Sequence, residues 1–381
     1  MYTKFIIFYT ANYCQKIKSF FDVDYLLKAG LNVEFWNLSD ITAHEKLTAV
    51  QSEGLKTIDI STYTELESNI KRVNQTDCLF LSFVNFAKYS IRVYRLLSKH
   101  NCNILYATSG VLPTVPVTEE KHISILKKYS LKDILDIVFF KIAIQSPFFI
   151  PAKYVLMSCN KATCDYKVAD STIYLSCNSG DYNRFFREEC HTSQNQVVFI
   201  DQYTPFHNDY TLRGLKHVTA DKYYQALNRF FSNIENKYDC DVVICAHPSA
   251  LKYHDKDYFD GRKVYYNDTS IQVKKSIGVI AQFSTAISFP VMDKKPIILI
   301  TTDEMNNLHP QFSSFERYLS EILKVPMINI DHSEKCEFEA IDSNAYNRYL
   351  IDYLTTPKMM GSFNSDVLTS LAQNKYQQFI Y

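Results

Sequence analysis

Apolar residues recur along this chain in two rhythms that alternate. Unbroken runs such as Lys4-Phe5-Ile6-Ile7-Phe8-Tyr9, Cys78 to Val84 and Asn103 to Ala107 are bounded by polar residues and read as buried strands. Between them apolar side chains return every three or four residues, the spacing of an amphipathic helix. Residues 14 to 29 form the first such stretch, with Ile17, Phe20, Phe21, Tyr25 and Leu26 as its apolar positions. Gly30 is placed to stop it as a C′ residue does.

The alternation continues. Val33 to Trp36 and Lys56 to Ile60 read as strands, Leu66 to Val73 and Ser90 to His100 as helices. A helical region over 119 to 145 carries Leu126, Ile134, Val138, Phe139 and Ile142 and is broken by Pro147 and Pro151. Tyr154 to Ser158 and Thr172 to Ser176 are further strands. Gln196 to Ile200 opens a second series, followed by a helix over 219 to 237 and the apolar run Asp241 to Ala246. Ile277 to Ala281 and Pro296 to Ile300 are strands on either side of a helix from Thr285 to Met292. A helix over 311 to 324, a strand from Met327 to Ile330 and a tail, 344 to 381, helical in two pieces separated by Pro357, complete the chain. Strands alternating with helices predict an α/β protein whose parallel sheets are covered on both faces. At 381 residues the chain exceeds one comfortable core. The polar stretch between about 160 and 195 divides it into an N-terminal domain, 1–165, and a C-terminal domain, 166–343, with final helices over 344–381.

Composition narrows the function mainly by exclusion. Lys+Arg and Asp+Glu both number 41, so no basic excess points to nucleic acid. The chain has only eight glycines and none of the glycine-rich phosphate loops or nucleophile elbows, G-x-G-x-x-G, G-x-x-x-x-G-K-[ST] or G-x-S-x-G. A bound nucleotide would therefore have its phosphates held by something else. The ten cysteines contain no C-x-x-C and sit mostly in apolar runs, which fits reduced thiols in a cytosolic protein. The run after Lys4 is too short for a signal-peptide core, and no apolar stretch nears the ~20 residues of a membrane span.

Candidate chemistry gathers at strand ends, where open α/β sheets bind ligands. The run from Asp241 stops at His247-Pro248, whose imidazole can donate to a phosphate or a leaving oxygen; the plain alternative is a strand-ending turn. Ser284-Thr285 opens a helix, where hydroxyls, free N–H groups and the helix dipole attract an anion; equally, Ser and Thr are ordinary N-caps. After Ile200 comes Asp201-Gln202-Tyr203-Thr204-Pro205-Phe206-His207-Asn208-Asp209, dense in acids and bases. Ser179 to Arg184, containing Asp181, reads as a similar loop. Three D-x-D triplets fall in the first helix (Asp22, Asp24), ahead of a buried strand (Asp239, Asp241) and in a charged loop (Asp255, Asp257), so no metal site is expected of them. His44-Glu45 lacks the second histidine of a zinc-protease motif. Lys121, His122, Lys127 and Lys128 read as the solvated face of a helix, or as a small patch for an anionic acceptor.

A strand ending in His247-Pro248, then one ending in Ser284-Thr285 at a helix start, resembles the HP and S-S/T motifs of bacterial glycosyltransferases that use CMP-activated acidic sugars: the sialyltransferases, polysialyltransferases and Kdo transferases. The resemblance covers residues 196 to 305 and includes the Phe199 to Tyr203 loop; it departs at Ser249, where an HPK form has Lys. It implies a GT-B fold, two Rossmann-like domains facing across a cleft with C-terminal helices crossing back. It further implies donor-nucleotide binding by His247, Pro248, Ser284 and Thr285, metal-independent transfer of a Kdo- or sialic-acid-type sugar, and no cofactor beyond the CMP-sugar. The acceptor is then an oligosaccharide or lipid-linked glycan of capsule or lipopolysaccharide, met in the cytoplasm or at the cytoplasmic face of the inner membrane. Asp201 or Asp209 is the expected catalytic carboxylate, Asp181 the reserve, and His207 the residue that orients one of them. Polyol-phosphate transferases of teichoic-acid-type pathways also place His-Pro and Ser-Ser before a helix, so a CDP-polyol donor is the alternative, with a non-catalytic scaffold as the third reading.

Overall fold

The computed structural model describes residues 1–42, 47–108, 113, 115, 139, 142, 144–207, 210–211 and 214–381. Among them the strands form two parallel sheets, one of seven strands and one of six. The chain divides into two compact units: the described residues up to Asn183 together with Asp352–Tyr381, and Arg184–Ile351, with which Pro113 and Val115 group.

The first sheet comprises β1 (Lys4–Tyr9), β2 (Asn32–Asn37), β3 (Lys56–Asp59), β4 (Cys78–Ser82), β5 (Asn103–Ala107), β6 (Tyr154–Met157) and β7 (Ile173–Ser176) in the order β3-β2-β1-β4-β5-β6-β7. β4 is buried at every position, as a central strand covered on both faces must be. β7 pairs with β6, so it belongs to this sheet; the division falls after Asn183, not at 165/166, and the return falls at Asp352, not at 344. Pairing, which composition does not reveal, sets these limits. The stretch expected as one helix over 14–29 is two, Gln15–Phe21 and Val23–Lys28. Asp22 between them is left-handed (φ 54°), a conformation Asp tolerates, and its buried carboxylate accepts the Ser365 hydroxyl. The break turns Tyr25 outward, 38% exposed.

The tail is tied to this unit by amides. The Asn364 side chain accepts the Asn178 N–H (2.7 Å) and donates to the carbonyls of Phe20 (2.7 Å) and Asn178 (2.9 Å). Asn183 reaches the Ser19 carbonyl at 3.0 Å.

The second sheet comprises β8 (Gln196–Ile200), β9 (Asp241–Ala246), β10 (Val264–Tyr266), β11 (Gly278–Ala281), β12 (Ile297–Thr301) and β13 (Met327–Asn329), ordered β10-β9-β8-β11-β12-β13. The helix Ala220–Tyr238 covers one face, burying Tyr223, Leu227, Phe230, Phe231 and Ile234 at the three-and-four spacing. Each such side chain contributes about 1.5–3 kcal/mol. Asp239, left-handed at φ 48°, ends it. Gly278 opens β11 where a Cβ would stand 2.6 Å from the Phe338 ring, so only glycine lets that ring lie across the strand.

Candidate functional site

All six strands of the second sheet are parallel, so their carboxyl ends share one edge. The chain builds outward from β8 through β9 to β10, then crosses to start again at β11 on the other side of β8. The order therefore reverses between β8 and β11, the position where open α/β sheets form their binding crevice. Ile200 is in register with Cys245 of β9 and Ala281 of β11. From that row Asp201 is one residue on, His247 two and Ser284 three. With neighbouring strands ~4.8 Å apart, β9 and β11 deliver His247 and Ser284 to one edge from axes about 10 Å apart.

His247 is half-buried, and its ring lies edge-on to His207, centroids 4.8 Å apart. His207, the residue expected to orient a carboxylate, thus has its ring against His247. Asp201 is 1% exposed. Its Oδ2 accepts the Tyr253 hydroxyl at 2.9 Å, which is 2.9 Å from the Tyr224 hydroxyl, and Oδ1 has no hydrogen-bond partner among the described residues. Burial pushes its pKa up to about 6, while the amides of Tyr203, His247 and Gln202 and the Tyr253 hydroxyl pull the other way. Asp201 is thus shut from solvent beneath the amides of its own loop and of His247.

Tyr203 adopts a left-handed conformation (φ 55°), which costs a non-glycine residue about 1 kcal/mol or more. That turn brings Thr204 back over the sheet, where its hydroxyl donates to Gln282 Oε1 at 2.9 Å; the Tyr223 hydroxyl donates to the same oxygen at 2.9 Å. Gln282, 2% exposed, thus clamps the β8 and β11 loops together. The sequence offered a faint signal for it, an amide directly after an apolar strand.

Ser284 is a true N-cap: its hydroxyl accepts the Ala286 N–H at 3.2 Å. The expected helix from Thr285 to Met292 is in two short pieces, a 3-10 turn (Thr285–Ile287) and one α-turn and a half (Ser288–Met292). Its dipole is correspondingly slight, and the hydroxyls of Ser284 and exposed Thr285 are the main attraction for an anion. Behind them, on the helix Pro310–Leu323, Glu316 is 2% exposed. Its Oε1 accepts the Phe283 N–H at 3.3 Å while Oε2 has no hydrogen-bond partner among the described residues, and burial pushes its pKa up to about 8. His309, also 2% exposed, stacks flat on Tyr210 at 4.5 Å, and burial lowers its pKa against the opposing pull of the Lys216 backbone. Neither residue had a sequence signature, since each is defined by its burial.

Asp181 lies in the first turn of the helix Gly180–Arg187, not in a loop, and belongs to the first unit. Asp209 lies outside the described residues, as do His44, Glu45, Lys121, His122, Lys127 and Lys128. Of the D-x-D residues, Asp24 pairs with Lys18 and Asp257 holds the amides of Phe259 and Gly261. No described helix is long and apolar enough to cross a membrane.

No protein-family model and no curated protein matches this sequence. Solved structures do. UGT2 of Phytolacca americana, complexed with UDP-2fluoro-glucose and pterostilbene, is 8% identical with a TM-score of 0.51, covering 98% of this chain and 99% of its own. The wall teichoic acid polymerase TagF is 10% identical with a TM-score of 0.49 over 99% and 89% of the two chains. The spinosyn forosaminyltransferase SpnP is 8% identical with a TM-score of 0.48 over 99% and 100%. At such identity the likeness to UGT2 is one of fold: two Rossmann-like α/β units of the GT-B class.

Proposed function

We propose that this chain is a metal-independent glycosyltransferase moving an acidic sugar of the Kdo or sialic-acid type from a CMP-sugar to a glycan acceptor in bacterial capsule or lipopolysaccharide synthesis, at the cytoplasmic side of the inner membrane. The observation that carries this reading is that His247 and Ser284-Thr285 follow the carboxyl ends of the two strands that flank β8, at one edge of the sheet. The complex of UGT2 with UDP-2fluoro-glucose, on the same fold, supports a nucleotide-sugar donor. In this reading the imidazole and the two hydroxyls hold the donor phosphate and stabilise the charge that grows on it as CMP departs. Fixed dipoles then do the work a metal ion would otherwise do. Asp201 keeps the His247 loop in place, and Asp209 takes the role of base toward the acceptor hydroxyl.

Thermal unfolding with CMP, CDP, UDP and GDP tests the proposal. A nucleotide at 100 times its dissociation constant stabilises by about 2.7 kcal/mol. CMP is expected to raise the melting temperature selectively, and His247→Ala to abolish the rise. Selective stabilisation by CDP would move the donor to a CDP-polyol. A protein indifferent to all four nucleotides would leave the transferase reading without support.

A further inference from the structure

His247 is followed by a residue with no backbone N–H, and this decides how its ring is held. His247-Pro248-Ser249-Ala250 is a β-turn, closed by the Ala250 N–H on the His247 carbonyl at 2.9 Å, with proline at the position where its fixed φ suits the turn. Because Pro248 has no N–H to give, the first amide after His247 able to donate is that of Ser249. The turn aims it back at the imidazole: the Ser249 N–H lies on Nδ1 at 3.2 Å. The Ser249 hydroxyl sits 2.7 Å from the same nitrogen.

A backbone amide only donates, so a nitrogen that receives one carries a lone pair and no proton. With Nδ1 unprotonated, a neutral imidazole carries its proton at Nε2. Protonating Nδ1 would set two hydrogens against each other unless the amide bond were surrendered. The hydroxyl reinforces the same choice by donating its own hydrogen to Nδ1.

We propose that Ser249 is the positioning residue that holds His247 as its Nε2–H tautomer, so that the ring serves the donor phosphate as a neutral N–H donor through Nε2. This rests on the proposed function for its ligand, but the tautomer itself belongs to the free protein. The chain thereby supplies a directed hydrogen bond where an imidazolium would supply a charge, and discriminates in favour of a phosphate oxygen placed along one line.

The test uses the whole chain labelled with 15N-histidine, the His247 signals being identified by their disappearance in His247→Gln. Long-range proton–nitrogen correlation of the free protein is expected to show Nε2 protonated and Nδ1 not. Ser249→Ala keeps the amide at 3.2 Å but removes the closer hydroxyl at 2.7 Å, so some Nδ1–H form is expected to appear beside the Nε2–H form and CMP binding to weaken about 3- to 10-fold. Ser249→Thr, which keeps the hydroxyl, is expected to restore both. A free protein with the proton on Nδ1, or a Ser249→Ala variant whose tautomer and CMP affinity match the parent, overturns the inference. If the tautomer is as stated and CMP does not bind, the donor assignment fails and the positioning role of Ser249 toward the ring stands.

Discussion

Glu34 in the first unit and Glu316 in the second are both buried carboxyls, 5% and 2% exposed, and their surroundings treat them oppositely. Glu34 on β2 is held by Lys4 at 2.8 Å, Lys56 at 2.9 Å and the Trp36 indole at 3.0 Å. Burial pushes its pKa up, but these three partners outweigh burial and the net direction is down. Glu316 has the Phe283 N–H alone, and burial prevails. The contrast extends beyond the pair. Among the described residues, every buried carboxylate oxygen without a hydrogen-bond partner lies in the second unit, on Glu188, Asp201, Asp293 and Glu316. In the first unit the buried side-chain atoms so left, among the described residues, are the hydroxyls of Tyr2, Ser176 and Thr356, while its linked asparagines satisfy one another. The second, with the same strand order around its first strand, keeps polar capacity in reserve, and two of those four residues stand around the edge where the nucleotide is proposed to bind.

Breaking a closed network should cost most. Asn364→Ala orphans the Asn178 N–H and the carbonyls of Phe20 and Asn178, and is expected to destabilise by about 3 kcal/mol in denaturant unfolding. Glu316→Gln should work the other way. A carboxyl whose folded pKa is raised favours folding while it stays protonated and loses that advantage as pH climbs from its unfolded value of ~4.3 to about 8. The amide has no charge to bury, so the variant should gain on the parent steadily across that window and by the most at pH 9; a gap that does not widen with pH would show Glu316 to be ionised and paired. Glu34→Gln has the opposite sign. Its lowered pKa gives stability that is full above ~4.3 and lost as pH falls below. The variant should be weaker at pH 7 and converge on the parent in acid. Ser284→Ala removes one cap, about 1 kcal/mol of thermal stability, and should weaken CMP binding as well.

The site was legible where chemistry and local pattern coincide. His247-Pro248 and Ser284-Thr285 each end an apolar run, so a strand end with a polar tip could be read from neighbouring residues alone. Asp201 was visible as an acid but not as a buried one, because Tyr253 and Tyr224, which enclose it, lie on other elements. The helix Gly180–Arg187 was hidden behind Ser179-Gly180-Asp181, which reads as a turn. β10, three residues long, offers too few positions for any periodicity to register.

By itself the sequence determined that strands and helices alternate, that β5 spans Asn103–Ala107 and β8 spans Gln196–Ile200, and that polar groups wait at the carboxyl ends. Those properties follow from burial of side chains a few positions apart, and short-range spacing encodes them. Tertiary structure decided which strands flank β8, that β7 joins the first sheet, that Asp22 and Tyr203 turn left-handed, and that Glu316 loses its solvent. Each of these rests on partners far along the chain, Phe283 lying 33 residues from Glu316 and Ser365 lying 343 from Asp22. No window of neighbouring residues contains the pairing energy that fixes them.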